Sequence, residues 1–295
     1  MKKICFIVNP ISGIGKPKKT EWLVSKLLDT SLFDFEIIYT NARGHATELA
    51  KDAAIRNYDI VVAVGGDGSV NEVAKGLIGT NTAMALIPAG SGNGFARHIK
   101  TPIDIENAIV LLNNYSIETV DTWKLNEHFF LNIAGIGFDG HIAHLFESYG
   151  KRGLSSYAKL IFNEFKKYTC SDYTLEIDGK KIIEHNVFLM SISNASQYGN
   201  NAYVNKMSSI QDGIAEICVL KKFPLGASPL IALKMFTNSL AASKYATNYS
   251  GKNITIIKGD NKTHIDGDAI ETASTISISC NPKSLKIVVA KNTKL

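Results

Sequence analysis

The stretch DIVVAVGGDGSVNEVAKGL, Asp59 to Leu77, carries the reading of the first part of the chain. Ile60 to Val64 is an unbroken apolar run rich in β-branched residues, the pattern of a strand buried on both faces. Gly65-Gly66-Asp67-Gly68 interrupts it, and the residues from Val70 to Leu77 resume at helical spacing. The same order continues on both sides of this stretch. Strands are expected at Ile4–Asn9, Phe35–Thr40, Ala83–Pro88 and Ile117–Asp121, with helices at Lys18–Leu28, His45–Arg56 and Ile105–Asn113. Such alternation predicts an α/β domain over residues 1–122, built on a parallel sheet covered by helices on both faces.

After Trp123 the texture changes. A hairpin around Asn126–His128 and helices over Gly140–Tyr149 and Ser156–Tyr168 lead into strands at Tyr173–Asp178, Ile182–Ser193, Ile214–Leu220, Ile254–Lys258, Thr275–Cys280 and Leu285–Ala290. Sequence-adjacent strands with turns such as Asp178-Gly179 predict a β-rich antiparallel sandwich with helices over residues 123–295, whose last strand can return to the first domain.

The chain has 295 residues, 45% of them apolar and 20% charged, which suits two globular domains and excludes a disordered or fibrous protein. Against 27 acidic residues stand 32 basic ones, a net charge of +5. That is too little for a dedicated nucleic-acid binder and is compatible with transient docking on an anionic headgroup layer. Cys5, Cys170, Cys218 and Cys280 have no ligand spacing, so neither a disulfide framework nor a zinc site is encoded, and buried reduced thiols are expected. The run Ile4–Val8 is too short for a signal-peptide core, and nothing approaches the ~20 apolar residues that cross a bilayer. A cytoplasmic location follows as the expectation.

Three glycine-rich segments follow three strands of the first domain: NPISGIGK (Asn9 to Lys16), GGDGSVNEV (Gly65 to Val73) and PAGSGNGFARH (Pro88 to His98). In an open parallel sheet all three lie on the carboxyl edge, where ligands bind. Glycines there let backbone N–H groups approach phosphate oxygens, and the helix after Ser69 turns its positive end the same way. The first segment is not a P-loop, because Pro10 and Pro17 stand where a glycine and a Ser/Thr are required. Ser69 and Glu72 have the spacing of a capping box, which would make helix initiation their role. Asp67, an acid between glycines at a strand end, is placed to partner magnesium. Gly135 to Gly140 (GIGFDG) satisfies a dinucleotide fingerprint, but it lies outside the alternating half and no acid closes a second parallel strand.

These segments resemble the diacylglycerol kinase catalytic-domain family, lipid kinases that include bacterial diacylglycerol kinases and eukaryotic sphingosine and ceramide kinases. The resemblance spans nearly the whole chain, through VNPISGIGK, Tyr39 to Ala50, GGDGSVNEV, PAGSGNGFAR, Asn132 to Gly140, Gln211 to Leu220 and Ile265 to Ile270. It implies a NAD-kinase-like ATP domain, a β-rich second domain, and use of ATP and Mg2+. The family's nucleotide contacts fall on Asn9, Pro10, Ile11, Ser12, Gly13, Thr40, Gly66, Asp67, Gly68, Ser69, Val70, Asn71, Glu72 and Ser91. Some members read Gly-Asn-Asp where this chain has Asn93-Gly94, so a carboxylate of their metal-linked network is lost here.

Asp266-Gly267-Asp268 matches the family's Asp-Gly-Glu, one methylene shorter, which implies Asp268 as proton acceptor with Asp266 orienting it or the metal. The rival is a plain Asp-Gly hairpin turn. Asp212 matches a structural magnesium loop of bacterial members, with Ser209 and Ile214 as the flanking ligands, Ile214 through its carbonyl only. His141, His144 and Glu147 are read as a half-exposed helix face rather than a metal site.

The expected substrate is a lipid hydroxyl, reached by transient contact with a membrane surface. Two stretches mix bases with large apolar groups, Phe162/Phe165-Lys166-Lys167-Tyr168 and Lys221-Lys222-Phe223-Pro224-Leu225, and are the expected docking elements. The rival readings are a NAD-kinase-like enzyme on a soluble substrate, since GGDG also occurs in NAD kinases, and a nucleotide-sensing protein without turnover.

Overall fold

The computed structural model describes the backbone of all residues except 14–15, 149–153, 206, 258–261 and 294, and the side chains of these and of 16–18, 147–148 and 154–158 are likewise outside it. Ile14 and Gly15 of the first glycine loop, the helix end at Tyr149, the side chain of Glu147, Lys206 and the strand end at Lys258 therefore lie outside the described residues.

The elements run β1 (Lys2–Val8), α1 (Lys16–Leu27), β2 (Phe33–Tyr39), α2 (His45–Ile55), β3 (Ile60–Gly65), α3 (Asp67–Leu77), β4 (Ala83–Pro88), α4 (Gly94–His98), α5 (Ile105–Leu112) and β5 (Tyr115–Leu125). They continue with β6 (His128–Phe130), β7 (Ile133–Gly137), α6 (Phe138–Ser148), α7 (Leu154–Phe165), β8 (Ser171–Ile177), β9 (Lys180–Ser193), β10 (Gln197–Gly199), β11 (Ala202–Tyr203) and β12 (Ala215–Lys221). The last are α8 (Ser228–Phe236), β13 (Ala246–Gly251), β14 (Asn253–Ile257), β15 (Lys262–Ile265), β16 (Asp268–Glu271) and β17 (Thr275–Ala290). Two compact units result. One is Met1–Asp121 with Pro282–Leu295, the other Thr122–Asn281.

In the first unit β2, β1, β3 and β4 are parallel neighbours in that order, and Ile287 of β17 pairs in parallel with Met84 of β4. Every residue of β3 and β4 is buried, as two-sided coverage by helices requires. The inner sides of α1 and α5, through Leu23, Val24, Ile105 and Ile109, share one apolar cluster with Phe6, Val62 and Ala85. Helices α2 and α3 approach closely because Gly76 has no Cβ; one there would stand 2.6 Å from the Thr47 carbonyl oxygen.

The second unit is antiparallel. Strand β9 is its long spine, paired with β8 along its first half and with β12 and β7 along its second. Strand β14 joins β8 to the first part of β17, and β15 joins β7 to β16. One apolar cluster holds Trp123, Phe130, Tyr173, Met190 and Ile217; another, carrying Phe138, Leu160, Phe165, Phe188, Phe223 and Ile231, lies beneath α6, α7 and α8.

Four expectations change. Thr275–Cys280 and Leu285–Ala290 are one strand, β17: Pro282 has no N–H and needs no acceptor, and the Lys283 N–H, in a left-handed residue (φ 48°), is taken by Asp121 Oδ1 at 2.7 Å. Strands β7, β10, β11, β13, β15 and β16 and helices α4 and α8 are additions, short or flanked by polar residues that mask their periodicity. Ser69 and Glu72 are not a capping box, because α3 already starts at Asp67 with Gly66 at its N-cap. None of the four cysteines is in a disulfide, but only Cys5 and Cys218 are fully buried; Cys170 and Cys280 are half-buried.

Candidate active site

The register of the parallel sheet brings the glycine loops to one level. Val8 pairs with both Tyr39 and Val64, and Gly65 with Pro88. One backbone bond extends each ladder past the strand end: Asn9 N–H to Val64 O (3.0 Å), Thr40 N–H to Val8 O (2.9 Å) and Ala89 N–H to Gly65 O (2.8 Å). Side chains then tie the loops together. Asn9 Nδ2 donates to Ser69 Oγ (3.2 Å) while its Oδ1 accepts from Ile11 N–H (3.1 Å). Asp67 Oδ2 accepts from Asn93 N–H (2.8 Å), and the Asn93 amide closes on Gly90 from both ends, Oδ1 accepting from N–H (3.1 Å) and Nδ2 donating to the carbonyl (2.9 Å). Asn93 takes the left-handed conformation, which asparagine tolerates.

Glycine is required at Gly90, where a Cβ would stand 2.5 Å from Gly66 Cα, and at Gly65, where it would meet Ser69 Cβ at 2.5 Å. Gly68 differs. A Cβ there has no protein atom within 4 Å, so its space is open beside the first turn of α3. The N-cap residue of that helix is Gly66, which has no side chain to cap the first turn. A glycine N-cap, an open glycine and the hydroxyls of Ser12 and Ser69 fit the phosphates of a nucleotide. Of the residues expected to contact nucleotide, Asn9, Thr40, Gly66, Asp67, Gly68 and Ser69 stand at this edge, with Pro10, Ile11, Gly13 and Ser91 exposed and Asn71 half-buried. Two are otherwise engaged. Val70 is only 6% exposed and belongs to the core, and the Glu72 carboxylate accepts from Gly44 N–H (2.9 Å) and Ala46 N–H (3.2 Å), capping α2 rather than its own helix.

In the second unit Asp266-Gly267 is the two-residue turn between β15 and β16, both residues having positive φ (50° and 94°). The turn geometry and a further role coexist. Asp266 Oδ2 accepts from Leu131 N–H (2.9 Å) and Oδ1 from Asn132 N–H (2.8 Å) and Ile133 N–H (3.0 Å), so this carboxylate fastens the hairpin to the β6–β7 connection. Asp268 is exposed at the start of β16. Asp178-Gly179 is a turn of the same kind between β8 and β9 (φ 49° and 82°).

Two residues before the Asp266-Gly267 turn, His264 Nε2 lies 2.9 Å from Asp139 Oδ2, without the alignment of a hydrogen bond, so the attraction is ionic once the ring is protonated. Tyr198 Oη also donates to Asp139 Oδ2, and Gly267 N–H lies 3.3 Å from His264 Nδ1, a hydrogen bond that only the neutral ring can accept. Burial opposes charge on both partners. The Asp139 carboxylate nevertheless holds the imidazole above its ordinary 6.5, and the imidazole holds the carboxyl below its ordinary 3.8. Gly135 is glycine because a Cβ there would overlap this pair, and a Cβ at Gly140 would stand 2.5 Å from the Lys262 carbonyl oxygen. The glycines of GIGFDG thus serve close packing, not a dinucleotide.

In the Asp212 loop, Ile214 N–H donates to Asp212 Oδ1 (2.9 Å) and Gln211 N–H to Ser209 Oγ (3.3 Å). Burial, and secondarily the Asp212 charge, raises the half-buried Glu216 carboxyl above its usual range. Among the described residues no three His, Cys, Asp or Glu side chains gather to hold a metal. His141 pairs with Glu164 (3.2 Å) and His144 with the Ile270 carbonyl (2.9 Å), the roles of a structural helix face.

The two expected docking stretches are divided: Phe165 and Phe223 turn inward, while Phe162, Lys166, Lys167 and Pro224 are exposed. Lys222 Nζ donates to the carbonyls of Phe165 (2.6 Å) and Tyr168 (3.2 Å) over the Phe165 ring, Lys221 pairs with Glu184 (3.2 Å) and Lys167 with Glu164 (2.9 Å). Phe165 and Phe223 are buried because the aromatic cluster beneath the helices recruits them, and Lys222 closes over it.

Comparison with known proteins agrees with both halves of this description. The model of the diacylglycerol kinase catalytic domain matches residues 3–125, and that of the YegS C-terminal NAD kinase beta sandwich-like domain matches residues 132–289. The chain belongs to the diacylglycerol kinase family of lipid kinases. A diacylglycerol kinase of Bacillus subtilis strain 168 is 30% identical over 227 residues, 75% of each chain. A probable lipid kinase YegS-like of Chromohalobacter salexigens is 28% identical over 187 residues, 61% of this chain and 60% of that one. A crystal structure of a diacylglycerol kinase from Bacillus anthracis strain Sterne has the same fold, with TM-score 0.74 at 21% identity over 99% of this chain and 98% of that chain. This lipid kinase is thus a phosphotransferase, and no helix among its described residues is long and apolar enough to cross a membrane.

The residues of this lipid kinase that sequence reasoning missed are Asp139, Tyr198 and His264. One signal was available. Three glycines surround a single acid at a strand-to-helix junction in GIGFDG, a density that marks side chains packed against bare backbone.

Proposed function

We propose that the protein transfers the γ-phosphate of ATP, with Mg2+, to the hydroxyl of a lipid such as a diacylglycerol or a sphingoid base drawn from a membrane surface. The observation that carries this reading is the joining of three glycine loops at one sheet edge by the Asn9–Ser69 and Asp67–Asn93 bonds. Phosphoryl transfer needs positioning and charge neutralisation more than covalent help, and loops held by one another position without reorganisation. Asn9–Gly13, Thr40, Gly66–Ser69 and Ser91 hold the nucleotide; Asp67 holds the metal with its carboxylate steadied by Asn93. Magnesium bound with the nucleotide supplies neutralisation of the phosphate oxygens.

Asp268 accepts the proton of the attacking hydroxyl. Three backbone amides occupy the Asp266 carboxylate, which supports Asp268 over Asp266 for this role. Asp212, with Ser209 and the Ile214 carbonyl, holds a structural magnesium that relieves the repulsion felt by Glu216.

The test is transfer of label from ATP to diacylglycerol, a sphingoid base, monoacylglycerol and phosphatidylglycerol in mixed micelles, with NAD as soluble control. Label in one lipid and none in NAD is expected. Label in NAD alone, or nucleotide binding without turnover on any lipid, overturns the proposal.

A further inference from the structure

Helix α8 has two apolar sides. Ile231 is its buried residue and belongs to the aromatic cluster beneath the helices. On the other side Leu230, Leu233 and Phe236 are 54%, 57% and 59% exposed. At 100° per residue these three span an arc of about 120° centred opposite Ile231 and Met235. Leaving one such side chain in water is ordinary; three on one side of a nine-residue helix are a patch that calls for a partner.

The charge around the patch identifies that partner. Between Glu216 and Asp260 the chain has lysines at 221, 222, 234, 244, 252 and 258 and no acidic residue. Lys221 and Lys222 are engaged internally, as described above, and Lys234 Nζ makes a long bond of 3.5 Å to the Ala242 carbonyl. Lys244, exposed and lying over the Tyr245 ring, follows the short turn Leu240–Ala242 that succeeds α8. An exposed apolar stripe in a chain segment that carries lysines and no acidic residue matches an anionic bilayer surface, where alkyl and phenyl groups enter the acyl boundary and ammonium groups stay at the phosphates.

We infer that α8 is the element by which the protein docks on an anionic bilayer, with Leu230, Leu233 and Phe236 inserted and Lys234 and Lys244 at headgroup level. The inference rests on the lipid-kinase reading for its purpose and on α8 for its place.

The experiment is sedimentation of the protein with phosphatidylcholine vesicles containing increasing phosphatidylglycerol, for wild type, for Leu230→Gln/Leu233→Gln/Phe236→Gln and for Lys244→Gln. The triple variant is expected to lose at least ~10-fold in vesicle affinity, while Lys244→Gln loses less and shows a weaker salt dependence. Because the three side chains are exposed, the thermal midpoint of the triple variant should match wild type, as should its turnover of a short-chain, water-soluble lipid. In a Phe236→Trp protein, lipids brominated on the acyl chain should quench the new indole. Undiminished vesicle binding by the triple variant, or equal losses on vesicles and the soluble lipid, overturns the inference. So does a wild-type dimer that the triple substitution converts to monomer, which would make a second copy the occupant. Vesicle binding needs no turnover, so docking through α8 without lipid phosphorylation would count against the kinase proposal alone.

Discussion

His264 Nε2 and Asp139 Oδ2 are 2.9 Å apart inside the second unit, their side chains only 5% and 11% exposed. A buried ion pair is tolerated only while both partners stay charged. Removing one leaves the other unpaired, at a cost of about 3–5 kcal/mol. Asp139, depressed in the fold, contributes stability above its ordinary 3.8 and loses it as pH falls through the lowered value. His264, raised in the fold, contributes below its ordinary 6.5 and loses it as pH rises through the raised value. The contribution of the pair is therefore full between about pH 3.8 and 6.5 and declines on both sides. Urea denaturation across this range should show that window in wild type, and Asp139→Asn should be less stable and lack it. A variant with the wild-type pH profile would refute the ionic assignment.

Asp266 and Asp268, neighbours across one glycine, should fail in different ways. Asp268→Asn is expected to lower lipid phosphorylation by roughly 10²-fold or more with nucleotide binding and thermal midpoint unchanged. Asp266→Ala deprives the amides of Leu131, Asn132 and Ile133 of their acceptor and should cost about 2 kcal/mol of stability. Full activity in Asp268→Asn would remove it from the chemistry.

Two glycines of the first unit offer a matched pair. Ala at Gly90 would press its methyl against Gly66 Cα, 2.5 Å away, and should destabilise by about 1–3 kcal/mol. Ala at Gly68 meets nothing of the protein within 4 Å and sits in a helix, so stability should hold or rise by up to ~1 kcal/mol. If phosphates occupy that space, ATP affinity of Gly68→Ala falls about 10-fold, a loss of ~1.4 kcal/mol readable by calorimetric titration. Unchanged affinity would place the phosphates elsewhere.

The Asp212 loop is tested without nucleotide. Mg2+ should raise the thermal midpoint of wild type and leave that of Asp212→Ala unmoved, and in wild type it should lower the apparent Glu216 pKa, followed by NMR titration. The same response to Mg2+ in both proteins would show that Asp212 holds no ion.

What the chain's own pattern determined is local or periodic. Unbroken apolar runs such as Ile60–Val64 specify strands covered on both faces, and the glycine loops after them specify a ligand edge, because parallel register leaves few ways to arrange such elements. Asp178-Gly179 was legible as a hairpin turn for a similar reason, since left-handed φ values at two successive residues restrict the choice of side chain. Tertiary structure alone decided the partners. Glu72 caps another helix 28 residues before it, counting to Gly44, and not its own. Asp139 finds His264 across 125 residues of chain, and Lys222 turns from the surface to the Phe165 and Tyr168 carbonyls. A polar side chain's spacing constrains only neighbours within a turn of helix or a step of strand. Its long-range partner depends on which buried donors and acceptors remain unmet once the apolar clusters have formed, and that accounting exists only in three dimensions.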